Sequence, residues 1–227
     1  MSETKMQKRF KRWFKPRFAI FYPLGWWILF TRYSTDQSLL YSLGFLLAGV
    51  LIRTWANGYA IKMDRLTTCG PYGHVRHPLY VGSFLLLVGM MIMLKIHWLI
   101  VALILTVIVG WIYRSTIRHE ERMLKDKFGA PYLDYIKKVS AFWPRLTSYQ
   151  GSEQWPWSFQ RYYKSQEYKI VIWMSILIII FYLKGEFLLE KEALDIKHVI
   201  LISIAIALAL LDLISEYYRK QNKFSVG

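Results

Sequence analysis

Residues 79–113 read LYVGSFLLLVGMMIML-KIH-WLIVALILTVIVGWIY, two apolar runs, Leu79–Leu94 and Trp98–Tyr113, separated only by Lys95, Ile96 and His97. So short a connection makes the two segments antiparallel neighbours. Neither run alternates polar and apolar residues, and neither carries a polar stripe at helical spacing. That pattern describes helices that are apolar all round, as in a membrane. Four more runs of this kind are Phe18–Phe30, Leu39–Trp55, Ile170–Leu183 and Val199–Leu213. Several fall short of the ~20 residues that a straight span needs. Their flanks compensate, because Lys95, Lys184 and Lys197 can snorkel while Trp26, Trp27, Trp98, Trp111, Tyr113 and Trp173 suit headgroup depth. Pro23 and Gly25 interrupt the first run, and no small-residue cleavage site follows it, so it reads as an uncleaved anchor. The expected fold is all-α: a polytopic transmembrane helix bundle of about six spans, with loops and short helices outside the bilayer.

Of the 227 residues, 55% are hydrophobic and 17% aromatic, against about 45–50% apolar for soluble domains. The net charge of +15 would invite nucleic acid in a soluble protein. Here the basic residues lie between apolar runs and form no separate domain, so no nucleic-acid partner is expected. They follow the positive-inside pattern instead. Lys5 to Arg17, Lys62 to Arg76, Arg114 to Lys169 and Arg219 to Lys223 all fall on one side if six runs span, and the opposite segment holds Glu186, Glu190, Glu192 and Asp195. Both termini and these basic segments are therefore expected in the cytoplasm, weakly in favour of a bacterial-type plasma membrane. The single cysteine, Cys69, permits no internal disulfide and reads as a small buried residue. The scattered His, Glu and Cys have no zinc spacing, and no metal is expected.

Two basic-side segments hold polar groups of chemical interest. In the first, Gly70-Pro71 and Tyr72-Gly73 are turn signals, and His74, Arg76 and His77 precede Pro78. Proline suits the first turn of a helix, so the third span is predicted to start near His77–Pro78. Its N-terminus, beside Arg76 and His77, forms a site for a carboxylate or phosphate. In the second, the fourth span is predicted to continue as a helix to Phe128, with Gly129 as its stop and a short helix over 131–138. This helix carries Glu120 and Glu121. Glu121 has Lys125 at i+4, a pair of little worth in water. The hairpin 79–113 brings Arg76 and His77 near Glu120 and Glu121. Two cations facing two acids suit a zwitterion, such as the methionine moiety of S-adenosylmethionine.

At these residues the chain resembles a known family. Gly70-Pro-Tyr72, Arg76-His-Pro-x-Tyr80-x-Gly82, Glu120-Glu-x-x-Leu124-x-x-x-Phe128-Gly and Tyr132-x-x-Tyr135 resemble the isoprenylcysteine carboxyl methyltransferase and phospholipid methyltransferase superfamily over roughly residues 45–145. The resemblance implies an integral membrane enzyme with S-adenosylmethionine as cofactor and no Rossmann fold. Carried over by position, it implies cofactor contacts from Asn57, Asp64, Arg65, Leu66, Thr67, Tyr72, His77, Pro78, Leu79, Tyr80 and Glu120, with Arg76 and Gly82 in the same motif. One branch ties an Arg one turn before the first Glu to its substrate. Here that position is Thr116, flanked by Arg114 and Arg118, a departure that bears on prenylcysteine as the acceptor. Arg118 and Glu121 are the candidates for catalysis, with His74 and His119 as further candidate bases for an amine acceptor.

The expected domain plan is a basic arm and first span (1–38), a methyltransferase core (39–145), and an aromatic linker with a two-span extension (146–227). Trp155-Pro-Trp157-Ser-Phe159-Gln-Arg-Tyr162-Tyr163 reads as an interfacial linker to the fifth span. The expected reaction moves a methyl group from S-adenosylmethionine to a lipid-like or prenylated amphiphile, through a carboxylate or an amine. Two alternatives stand beside it: an NADPH-dependent sterol-type reductase, which shares the Arg-His-Pro-x-Tyr-x-Gly pattern, and a non-catalytic lipid-binding protein on the same scaffold.

Overall fold

The computed structural model describes residues 21–61, 65–112, 116–149, 154–190 and 193–224. Of the residues singled out above, the basic arm before Phe18, Lys62, Asp64, Tyr113, Arg114 and Glu192 lie outside them. The described residues form helices and loops, with no strand among them. In chain order the α-helices are α1 (Phe21–Thr31), α2 (Asp36–Tyr59), α3 (Pro78–Met93), α4 (Trp98–Ile112), α5 (Arg118–Phe128), α6 (Ala130–Lys138), α7 (Phe159–Ser165), α8 (Tyr168–Gly185) and α9 (Ile196–Phe224). Every apolar run is therefore helical where it is described. Among the described residues three segments are long and apolar enough to cross a membrane, Asp36–Tyr59, Tyr168–Leu188 and Ile196–Arg219, against the six expected; Pro78–Met93 is a shorter apolar helix. Large apolar side chains such as Leu40, Leu103, Ile204 and Leu213 point out of the protein. In water so many would be a liability; in a bilayer they are the required surface. The chain is an all-α membrane helix bundle.

The closest helix packing joins α2 to α3, antiparallel. Glycine makes it possible. A Cβ on Gly49 would lie 2.9 Å from the Gly82 carbonyl oxygen, and one on Gly82 would lie 2.9 Å from that of Gly49. Backbones approach this closely in membranes only where small residues face each other. Leu46 and Leu86 pack beside the crossing with Met93, Leu94 and Phe181. At the end of the bundle away from the basic segments, Ser38 Oγ donates to the Met93 carbonyl at 2.8 Å, and Thr35 and Ser38 cap α2 with a reciprocal box.

Local signals place the remaining elements. Pro78 opens α3 with His77 as N-cap. Gly129, at φ 56°, ends α5 and starts α6, a left-handed conformation that costs glycine little. Tyr132 and Tyr135 of α6 and Val139 just after it form a second core with Leu66, Leu124, Phe128 and Tyr149. Helices α8 and α9 make an antiparallel hairpin, with Lys169 3.4 Å from Asp212 and 2.8 Å from Glu216. At its far end Lys184 Nζ donates to the Leu29 carbonyl at 2.7 Å and thereby caps α1.

Candidate functional site

The segment 73–77 is held by the chain that follows α6. The backbone N–H of Arg76 donates to Ser140 O at 2.9 Å, that of His77 to Ala141 O at 3.2 Å, that of Arg145 to His74 O at 2.9 Å and that of Tyr149 to Gly73 O at 2.8 Å. Residues 140–149 are thus a strap lying along the motif. Tyr135 adds to it, its hydroxyl donating to Tyr72 O at 2.6 Å. His74 Nδ1 lies 2.8 Å from the Arg145 carbonyl, so the ring there carries its proton on Nδ1. His74 belongs to the strap.

Once the strap sets Arg76 and His77, the first turn of α5 meets them. Arg76 Nη1 donates to Glu121 Oε1 at 2.6 Å, and His77 Nε2 lies 3.2 Å from the same oxygen. The His77 contact holds the Glu121 carboxyl below its ordinary pKa, and the Arg76 charge adds to this against the opposing effect of burial. Glu121 therefore binds Arg76 and His77 directly rather than facing them across a ligand. Glu120 is the other carboxylate, with the Tyr80 hydroxyl 3.4 Å from its Oε2. Arg118 and His119 are exposed on the same turn of α5.

At this site two buried donors find no acceptor among the described residues: Arg76 Nε and the Tyr132 hydroxyl. Tyr132 is 2% exposed. Burial pushes its phenol up to about 12, Glu121 pushes the same way and Arg76 opposes them, so the three groups are close in space. A buried donor left unpaired costs roughly 1–3 kcal/mol. Arg76 Nε and Tyr132 are the groups most in need of an acceptor, and they lie at the N-terminus of α3.

The other motif residues divide. His77 and Pro78 are buried, Tyr72 and Tyr80 half-buried. The Tyr72 phenol is pushed up by its burial, next by Glu120 and Glu167, and lowered by Arg53. Leu66 packs on the Tyr132 core. Thr67 Oγ1 accepts from the Ile61 N–H at 3.3 Å, and Asn57 Nδ2 donates to Arg53 O at 2.9 Å. Leu79 offers its carbonyl to Arg53 Nη1 at 2.9 Å, and Gly82 serves the α2–α3 crossing.

Arg53 itself was overlooked. Its guanidinium meets Glu167 Oε2 at 2.6 Å through Nη2 and at 3.1 Å through Nε, besides binding Leu79 O and the Ser83 hydroxyl. A signal existed, since Arg53 stands alone in the apolar run Leu39–Trp55, and an ionisable residue in a span is a functional candidate by default. The linker also does more than connect. Trp155 Nε1 donates to Tyr59 O at 2.8 Å, Trp157 Nε1 to Thr54 O at 3.3 Å and Arg161 Nε to Gly58 O at 2.8 Å. Together they cap the last carbonyls of α2, beside Asn57 and buried Cys69. Among the described residues no group of three or more His, Cys, Asp or Glu can hold a metal ion.

The fold and site define a helical membrane protein with a polar, partly unsatisfied cluster of side chains where three helix ends meet. Residues 39–131 match the family model of phospholipid methyltransferases, in agreement with the motif resemblance. Two curated relatives are similar. The cobalt-zinc-cadmium resistance protein CzcN of Cupriavidus metallidurans is 36% identical over 132 residues, 54% of this chain and 59% of that protein. The nickel-cobalt-cadmium resistance protein NccN of Alcaligenes xylosoxydans xylosoxydans is 36% identical over 103 residues, 44% of this chain and 47% of that protein. The chain thus spans about half the length of the curated relatives it matches. No solved structure matches.

Proposed function

We infer that the protein is a membrane methyltransferase that binds S-adenosylmethionine at the Arg76–Tyr132–Glu120 pocket and methylates an amphiphilic acceptor. The observation that carries this reading is the pair of buried, unpartnered donors, Arg76 Nε and the Tyr132 hydroxyl, a short distance from a second carboxylate. A ligand carboxylate suits those donors and the α3 N-terminus. A ligand ammonium suits Glu120. The donor set therefore fits an amino-acid moiety, and the match to a methyltransferase family over 39–131 supports a methyl donor.

When bound, S-adenosylmethionine supplies an electrophilic methyl group whose carbon–sulfur bond breaks, leaving a neutral thioether, as the acceptor's lone pair forms the new bond. The protein's part is chiefly orientation, which can supply up to roughly 7–11 kcal/mol. Glu121, held as a carboxylate by Arg76 and His77, is a weak base; its role is to position those two residues. A carboxylate acceptor needs no base. An amine acceptor would give up its proton to water, since Glu120 is taken by the ligand ammonium. The pocket lies at the basic ends of the spans, so we place it at the cytoplasmic interface, where an amphiphile reaches it from the bilayer and the cofactor from water. Metal resistance is said of the two relatives, and the reading for this chain needs no metal.

Calorimetric titration of the detergent-solubilised protein with S-adenosylmethionine, and with NADPH in parallel, tests this. Saturable S-adenosylmethionine binding, abolished by Glu120→Gln and by His77→Ala without loss of folded protein, is expected. Normal affinity in both variants would remove the site assignment, and binding of NADPH alone would move the chain to the reductase reading.

A further inference from the structure

We propose that Glu167, acting through Arg53, is a positioning residue for the cofactor site: it fixes the guanidinium that holds the first turn of α3, so the C-terminal extension completes that site. What the site binds rests on the proposed function; how the turn is held rests on geometry alone. Arg53 is where three elements meet. Its side chain leaves α2 and crosses α3 at Gly82, where a Cβ would lie 2.6 Å from Arg53 Cγ. Nη1 then donates to Leu79 O at 2.9 Å and to the Ser83 hydroxyl. Nη2 and Nε both donate to Glu167 Oε2, at 2.6 and 3.1 Å.

A plain staple between α2 and α8 would need only the two bonds to Glu167. A guanidinium is a rigid planar fork, so fixing Nε and Nη2 on Glu167 also fixes where Nη1 points. It points at Leu79, between Pro78, the first residue of α3, and Tyr80. Tyr80 and Val81 donate their N–H groups to His77 O at 3.1 and 3.2 Å, so the turn that Arg53 holds is the one that carries His77. From this turn Tyr80 turns its hydroxyl to Glu120 and His77 its ring to Glu121. A shift of the turn is a shift of both contacts. Glu167 is committed to this role: it is the N-cap of α8, yet its side chain makes no capping bond there.

The residues before Glu167 close on the same end of α2. Trp157 lies so close over Gly58 that a Cβ there would overlap its indole, and its Nε1 donates to Thr54 O at 3.3 Å. Tyr162 shares a hydrogen bond with the Thr54 side chain, and Arg161 Nε donates to Gly58 O at 2.8 Å. From Trp157 to Glu167 the extension therefore follows α2 back from Gly58 to Arg53. The Tyr72 phenol is influenced by Glu120 and Glu167 and by Arg53, which sets the ion pair beside the Gly70–Tyr72 motif. Glu167 lies beyond the segment 39–131 that matches the family model, so this hold on α3 comes from the extension of this chain.

The test compares the full chain with four variants, Glu167→Ala, Glu167→Gln, Arg53→Lys and Glu216→Gln, in nanodiscs of diacyl phospholipid. Two quantities are read: amide hydrogen exchange without cofactor, and S-adenosylmethionine affinity by calorimetry well below each thermal midpoint. Glu167→Ala and Arg53→Lys should speed exchange at Tyr80 to Ser83 and weaken S-adenosylmethionine about tenfold. Glu167→Gln keeps an acceptor for Nε and Nη2, so its loss of affinity should stay within about threefold. Glu216→Gln breaks the pair with Lys169 between α8 and α9; it should lower the thermal midpoint and leave both quantities unchanged. Wild-type affinity in Glu167→Ala and Arg53→Lys would make the pair a staple and overturn the proposal, as would unchanged exchange at Tyr80 to Ser83. Arg53→Lys carries the test if Glu167→Ala does not fold. Faster exchange in a chain that binds no S-adenosylmethionine would leave the hold on α3 standing and remove the functional reading.

Discussion

Arg53 and Glu167, 114 residues apart in sequence, lie 2.6 Å apart through Nη2 and Oε2, and both are largely shielded from solvent. The pair joins the first residue before α8 to a helix of the family-matched segment. A half-buried ion pair is costly to break on one side, because the remaining charge keeps its desolvation penalty. We expect Glu167→Ala and Arg53→Ala each to destabilise by about 2 kcal/mol, and the double variant by clearly less than the sum. Thermal unfolding of the four proteins in one detergent measures this; strictly additive losses would show that the pair does not hold the extension.

Tyr132→Phe separates binding from folding. Its hydroxyl is buried and finds no acceptor for its proton among the described residues, so its removal should leave the ligand-free protein as stable or more stable by about 1 kcal/mol. The same change should weaken S-adenosylmethionine about tenfold or more. A variant that loses stability but keeps affinity would assign Tyr132 to the α6 core alone. Calorimetry together with thermal unfolding reads both quantities.

The α2–α3 crossing predicts a contrast between glycines of one helix. At Gly49 a Cβ would meet Leu86 Cγ at 2.7 Å and the Gly82 carbonyl at 2.9 Å, whereas at Gly44 nothing lies within 4 Å. Gly49→Ala should cost about 1–3 kcal/mol. Gly44→Ala should be neutral or stabilising by up to about 1 kcal/mol, because alanine has less backbone entropy to lose. Equal effects at the two positions would refute the close crossing.

Acid should loosen the site before it unfolds the bundle. The Glu121 carboxyl is depressed below its ordinary value of 4.5 by His77 and Arg76. A depressed folded value means that the contribution is complete above pH 4.5 and is lost as pH falls through the folded value. Stability of the wild-type protein should therefore fall over that acidic window, and Glu121→Gln should flatten the fall there. A parallel pH profile for the two proteins would show that Glu121 is not coupled to folding.

Much of the architecture was legible in residues close together in sequence. The runs at 39–55 and 79–94 became α2 and α3, Pro78 opened a helix and Gly129 closed one. Arg76, His77, Glu120 and Glu121 were also expected together, from the short link at 95–97, and Arg76 and His77 do meet Glu121. Their pairing was not legible. Glu121 met Arg76 and His77 directly because the strap 140–149 sets the backbone of those two residues, and nothing in the local pattern announces that strap. His74, Leu79 and Gly82 hold the scaffold in ways that spacing alone does not distinguish from ligand contact.

By itself, the sequence determined the all-α membrane class, the apolar helices and the end at which polar chemistry gathers, because helix-scale hydrophobicity acts within a few turns of chain. Only the tertiary structure decided which carboxylate is neutralised, which donors remain unsatisfied and how the extension reaches the first turn of α3. Those outcomes depend on ångström-scale distances between elements as far apart as Arg53 and Glu167. Electrostatic pairing and desolvation act through those distances, and no local pattern encodes them.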